Sequence, residues 1–242
     1  MPSTPLSVVP SSFQGVFESI KNSINNNTCA VLVEPIQGEG GIITPQDGWL
    51  RQLRDLCNDN NVLLILDEIQ SGLGRTGKMF AYEHEGIKPD GLILGKALGG
   101  GLLPVSAFLS SKEVMDHFNP GSHGSTFGGN PLAAKVASKA LDLLIDDNLI
   151  ENSMVLGNYL KTKLQEINLE FIKEVRGKGL WIGVEFDQKI SAKKICLSLM
   201  KEGILAKETH ETVIRFAPPL TITKEEIDWA IDKIIKVFRE YQ

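Results

Sequence analysis

Cysteine is scarce in this chain of 242 residues: Cys29, Cys57 and Cys196 stand apart with no metal-type spacing. That pattern excludes a disulfide scaffold and reads as free thiols in a reducing, cytoplasmic compartment. An excess of positive charge is absent too. Lys and Arg number 25 against 30 Asp and Glu, a net charge of -5, and no basic run offsets it. A general nucleic-acid binder is therefore not expected. No apolar stretch approaches the length of a membrane span, so no membrane partner is expected. The start, Met1-Pro2-Ser3-Thr4-Pro5, lacks the basic and apolar regions of a secretory signal. His84, His117, His123 and His210 show no ligand spacing, and no metal is expected. There is no internal repeat. What is present suits a folded protein with a real core: 42% hydrophobic and 23% charged residues, enough chain for one large domain or two small ones.

Short apolar runs organise the first half. Cys29 to Val33 reads as a buried strand ending at Glu34-Pro35. Trp49, Leu50, Leu53, Leu56 and Cys57 recur at helical spacing, and Asn60-Asn61 end that helix. Val62 to Leu66 is too short and continuous for a surface helix and reads as a second strand, ended by Asp67-Glu68. Leu92 to Leu94 and Val105 to Leu109 are a third and a fourth. Continuous apolar strands are those covered on both faces, which predicts a largely parallel sheet in an α/β domain. Ligands of such sheets bind beyond the carboxyl ends of the strands. That rule places Glu34, Asp67 and Lys96 on one rim. Pro131 opens a helix to about Leu144, and charge rises from about Asp146. We read residues 1–145 as one domain and 146–242 as a smaller α+β domain. In the latter, Val175 to Phe186 reads as a strand with a bend and Val213 to Phe216 as a short strand. Thr223 and Glu226 form a capping box before a helix with Ile227, Ile231, Ile234, Ile235 and Phe238 on one face. Residues 1 to about 15, rich in Pro and Ser, read as irregular.

Lys96 follows the third strand and precedes Gly99-Gly100-Gly101. An amine at the mouth of a buried strand is partly desolvated, which disfavours its charged form. Such a lysine can form a Schiff base with a carbonyl, including that of pyridoxal phosphate. Taken alone, it reads more readily as a solvated lysine after a strand. Asp67 alone reads equally as a helix cap. Together they make a cofactor pair, because pyridoxal phosphate needs a carboxylate beside its protonated ring nitrogen. The rival is a nucleotide site. Gly72-Leu73-Gly74-Arg75-Thr76-Gly77-Lys78 matches two phosphate-loop patterns. Against it, Met79 stands where a phosphate loop needs a hydroxyl, and Asp67, Glu68 and Gln70 separate the glycines from their strand. Gly124 to Pro131 supplies the hydroxyls of Ser125 and Thr126, which reads either as a phosphate site or as an N-capped loop. Arg215 lies in an apolar strand and needs a carboxylate, either a structural partner or a substrate.

Read together, Glu34 to Glu39, Leu66 to Gly72, Gly95 to Leu98 and His123 to Pro131 resemble the class III pyridoxal-phosphate aminotransferases of fold type I. The resemblance runs from about Thr28 onward. Gly121 to Thr126, Val175 to Leu180, and Gly203 to Leu220 are most similar to members that use ornithine, 2-oxoglutarate and glutamate. The resemblance implies a partial large domain with a mostly parallel sheet plus the smaller C-terminal α+β domain. It implies that Lys96 carries pyridoxal 5'-phosphate and moves the substrate proton, that Asp67 pairs with the ring nitrogen, and that Gln70 binds the ring hydroxyl. Ser125 and Thr126 would bind cofactor phosphate, Thr126 that of a neighbouring subunit, so a homodimer is implied. Arg215 would bind the α-carboxylate of glutamate or 2-oxoglutarate. Glu39 would act as a gate, pairing with Arg215 while ornithine reacts. Members of the family are much longer, so the chain reads as the C-terminal part of such an enzyme, and a separate chain carrying the N-terminal part is a partner to look for. Acetylornithine or 4-aminobutyrate as amino donor, or a non-catalytic dimerising chain, are the competing readings.

Overall fold

The computed structural model describes residues 13–242. The expected irregular start falls outside these residues up to position 12. From Phe13 the chain is already a helix, α1 (Phe13–Ser23), which corrects the expectation for residues 13–15. The three apolar runs form β1 (Ala30–Val33), β2 (Leu63–Asp67) and β3 (Gly91–Leu94), with α2 (Trp49–Asp59) between the first two. They pair in parallel, and β4 (Ala107–Ser110) closes the order β1-β2-β3-β4 as an antiparallel edge. The sheet is mostly parallel, as expected.

Its coverage is not as expected. On one face Val31, Leu64, Leu66 and Leu92 are buried, against Trp49, Leu50 and Leu53 of α2 and the half-buried apolar side of α1. On the other, the pairing Leu32↔Ile65 leaves Leu32 59% exposed and Ile65 and Ile93 only half-buried. Asp67 shares that open face, because it pairs with Ile93 and side chains alternate along a strand. Among the described residues, one face of these strands is covered and the other is open.

After α3 (Lys112–Met115) comes an exposed loop, and then α4 (Pro131–Asp146), capped by Asn130, whose side chain accepts from Ala133 N–H at 2.8 Å. α5 (Leu149–Gln165) begins against the first core through Leu149 and Ile150 and ends in the second through Leu160 and Leu164. The stretch read as one bent strand is two, β5 (Ile172–Lys178) and β6 (Trp181–Phe186), paired antiparallel. Gly179 makes the turn at φ +56°, which the sequence pattern showed only as a bend. α6 (Ala192–Lys201), β7 (Lys207–Thr209), β8 (Val213–Phe216) and α7 (Lys224–Arg239) complete an antiparallel sheet in the order β5-β6-β8-β7. The capping box of Thr223 and Glu226 is formed. Ile227, Ile231, Ile234 and Phe238 of α7 are buried against Ile182, Val184 and Phe186 of β6. We propose a division of the chain near residue 146, with α5 bridging the two cores. Among the described residues no helix is long and apolar enough to cross a membrane.

The two sheets are locked by a close backbone approach. A Cβ on Gly157 in α5 would stand 2.1 Å from the carbonyl carbon of Gly179, and one on Gly179 would stand 2.4 Å from that of Thr76. Alanine normally favours a helix over glycine by about 1 kcal/mol. At position 157 the clash outweighs that gain, and Gly157→Ala is expected to lower stability by about 1–3 kcal/mol, the usual cost of overpacking. Thermal unfolding of the two chains checks this; an equal or higher midpoint for the variant contradicts the interlock.

Candidate active site

The rim expected from the sequence exists. β1, β2 and β3 run parallel, so Glu34, Asp67 and Lys96 lie at one edge of the sheet. Glu34 accepts from Gly38 N–H at 3.0 Å and so folds the turn that carries Glu39. Asp67 Oδ1 accepts from Ile69 N–H at 3.0 Å, a local turn that leaves Oδ2 without a donor among the described residues. Lys96 sits at φ +43°, a left-handed conformation that is uncommon for a residue with a Cβ and concentrates at functional sites. Its side chain is exposed, so the desolvation expected for it is not found. The strand it follows is buried, but the lysine lies beyond the strand's end, in the wall of an open cleft.

That cleft has a volume of about 660 Å³ and lies between the two sheets. Lys96 and Gln70 line it from the first sheet's side, Trp181 and Arg215 from the second. Arg215 is largely buried and Glu39 exposed, at 18% and 62% of their side chains, and they are paired at 3.0 Å. Gln70 Oε1 accepts from the same arginine nitrogen at 3.3 Å. Lys207 adds a weaker ion pair to Glu39 at 3.7 Å. What burial Glu39 has works to raise its pKa, but the charges of Arg215 and Lys207 and the hydrogen bonds from Arg215 and Gln70 outweigh it and hold the carboxyl below its usual range. Thus four of the expected residues, Lys96, Gln70, Arg215 and Glu39, converge, with Asp67 at the end of the adjoining strand.

Ser125 and Thr126 are not brought to this cleft. They lie on the loop before α4, exposed along with Phe127. Ser125 Oγ is used locally, accepting from Gly128 N–H at 3.1 Å. The glycine-rich stretch that rivalled the cofactor reading is a packed turn: Gly72, Leu73, Gly74, Thr76 and Gly77 are buried. Its backbone closes on itself and on α5, and a phosphate would find no open loop there.

Two cleft residues escaped sequence reasoning. Trp181 is buried but also forms part of the cleft wall. Arg75 lines the cleft as well; its signal was hidden in a motif weighed only for phosphate binding. Glu68 is 1% exposed, and its two oxygens accept from the N–H groups of Ala81 (2.6 Å) and Tyr82 (2.9 Å). Burial raises its pKa to about 7, aided by the charges of Glu83 and Asp67, against the pull of the two N–H groups.

Comparison with known proteins agrees with this geometry. The fold is that of the fold type I pyridoxal-phosphate aminotransferases. Residues 8–238 match the family described as Aminotransferase class-III, and the chain belongs to that family. The match begins well before Thr28, earlier than the sequence motifs alone reached. The ornithine aminotransferase of Macrococcus caseolyticus is 59% identical over 224 residues, covering 93% of this chain and 56% of that protein. A solved ornithine aminotransferase from Toxoplasma gondii, with pyridoxal phosphate at partial occupancy in its active site, is 43% identical at a TM-score of 0.91, over 99% of this chain and 57% of that one. An acetylornithine aminotransferase from Elizabethkingia anophelis is 45% identical at a TM-score of 0.89, over 96% and 62%. The chain spans about half the length of the curated relatives it matches.

Glu68 gives a test by pH. Its folded pKa, about 7, lies above the ordinary 4.5. The folded state therefore holds the proton more tightly, and stability present below pH 4.5 is lost as pH rises through 7. Glu68→Gln is expected to flatten this slope when unfolding is followed between pH 4.5 and 8; an unchanged slope would mean that another group titrates.

Proposed function

We propose that this chain is the C-terminal part of an ornithine aminotransferase, moving the δ-amino group of L-ornithine to 2-oxoglutarate with pyridoxal 5'-phosphate as carrier. The observation that carries the reading is Arg215, which lines the cleft with Lys96 and is paired with Glu39 at 3.0 Å. The donor set fits the cofactor. A carboxylate with one oxygen free among the described residues ends a strand, and an amine with space before it follows the neighbouring strand. When bound, pyridoxal phosphate supplies an aldehyde carbon and a protonated ring that withdraws electrons from the substrate.

Each residue then has one task. Asp67 keeps the ring nitrogen protonated through its free oxygen. Lys96 would hold the cofactor through its aldehyde, and its free Nζ would move the proton at the substrate carbon. Gln70 donates to the ring hydroxyl. Arg215 binds the α-carboxylate of glutamate or 2-oxoglutarate, and Glu39 neutralises Arg215 while ornithine is bound. Glutamate must present its α-amine and ornithine its δ-amine. A neutralised Arg215 releases ornithine's α-carboxylate, so the distal amine can approach. The exposure of Ser125, Thr126 and Phe127 supports a role toward a second copy of the chain, where Thr126 would meet the partner's cofactor phosphate. The similarity to an acetylornithine aminotransferase favours acetylornithine as the second candidate donor.

Kinetics with ornithine, acetylornithine and 4-aminobutyrate should rank ornithine first; preference for either of the others overturns the substrate. Lys96→Ala should lose about a thousandfold or more in turnover, as for a removed general base, and lose the borohydride-reducible visible band. Appreciable transamination by that variant contradicts the role of Lys96. Glu39→Ala should shift the ratio of α-amine to δ-amine reaction about tenfold toward glutamate, the size of one charge interaction of about 1.4 kcal/mol. A constant ratio would show that Glu39 is no gate.

A further inference from the structure

Arg75 follows two left-handed residues, Leu73 and Gly74 (φ +55° and +83°), which turn the chain back toward the second sheet. Its Nη1 donates to the carbonyls of Leu180 (2.9 Å) and Pro218 (2.6 Å). Leu180 leads into β6, and Pro218 lies three residues beyond Arg215. Among the described residues these two carbonyls are the only acceptors of its guanidinium, and no carboxylate faces it. The remaining N–H groups belong to a side chain that lines the cleft with Lys96 and Arg215. Burial and the charge of Arg215 pull its pKa down to about 10, so it is a cation at neutral pH. The cleft therefore holds one arginine answered by Glu39 and one answered by no acid.

We propose that Arg75 determines specificity in this cleft: it is a fixed, uncompensated cation that favours dicarboxylate ligands over monocarboxylate ones. The inference rests on the reading of the cleft as the substrate site. A fixed charge attracts a dianion about twice as strongly as a monoanion at the same place, and little water screens it when buried. Arg75 thus favours the amino acceptor, 2-oxoglutarate, and opposes ornithine, which carries a net positive charge. The Glu39 carboxylate offsets that opposition on the ornithine side of the cycle. Arg75 is a positioning residue, acting through its field and through the two carbonyls that fix the ends of β6 and β8.

The test is calorimetric binding of glutarate and butyrate to the chain, with Arg75→Gln, Arg75→Lys and Arg215→Gln. The parent chain should prefer glutarate about tenfold or more. Arg75→Gln should lose most of that preference, and Arg75→Lys, which keeps the charge but not the two-carbonyl fork, should retain it. A purely structural role weakens both ligands alike and leaves their ratio unchanged in Arg75→Gln, which overturns the proposal. If Arg75→Gln does not fold, loss of preference in Arg75→Lys, or equal affinities in the parent chain, overturns it. Glutarate binding that is undetectable in the parent chain, or unaffected by Arg215→Gln, instead overturns the substrate reading of the cleft.

Discussion

The contact on which the rest depends is the lock between the turn after β2 and the start of the second sheet. Arg75 holds the carbonyls of Leu180 and Pro218. Ser153 Oγ, from α5, donates to the Arg75 carbonyl and accepts from Leu180 N–H. Gly157 and Gly179 let the backbones approach to a distance no side chain would allow. Each buried polar group here costs about 1–3 kcal/mol if left unpaired, so the elements dock in one arrangement. That docking places Arg215, on the second sheet, across a cleft from Lys96, on the first. Without it the lysine and the arginine would belong to two separate surfaces.

The site that results is rich in cations. Lys96, Arg75 and Arg215 line the cleft, and Glu39 pairs with Arg215 beside it; such a balance suits small anionic ligands. The acids are arranged by task. Asp67 is steadied by one local hydrogen bond and keeps an oxygen free among the described residues. Glu39 is exposed and is paired with the largely buried Arg215. Glu68, one residue from Asp67, is buried and ties the end of β2 to the 3₁₀ turn at Ala81–Glu85. The adjacent carboxylates differ because Asp67 lies on the open face of the sheet and Glu68 faces the core.

Much of this was legible in the chain. Short apolar runs between glycines and polar turns gave the strands, because a buried strand has little room for anything else. The acid and the lysine closing those runs gave the rim, because parallel strands put their carboxyl ends together. Other features misled. Leu32 and Lys96, expected to be covered, are exposed among the described residues. The Gly72–Gly77 stretch looked like a phosphate loop because tight turns of every purpose need glycine. The bend before Trp181 was a hairpin turn, set by Gly179 at positive φ and by the backbone of α5 beside it.

By itself, the order of residues determined the local outcomes: which segments are strands or helices, where they are capped, and which acids and lysine end the parallel strands. These follow from side-chain periodicity and backbone preference within a few residues. The tertiary structure alone decided that Arg215 meets Glu39 and Gln70, that Arg75 and Trp181 join the cleft, and that Ser125 and Thr126 stay outside it. Those outcomes depend on contacts between residues more than a hundred positions apart, 176 in the case of Arg215 and Glu39, and on how two sheets can dock without stranding a buried polar group.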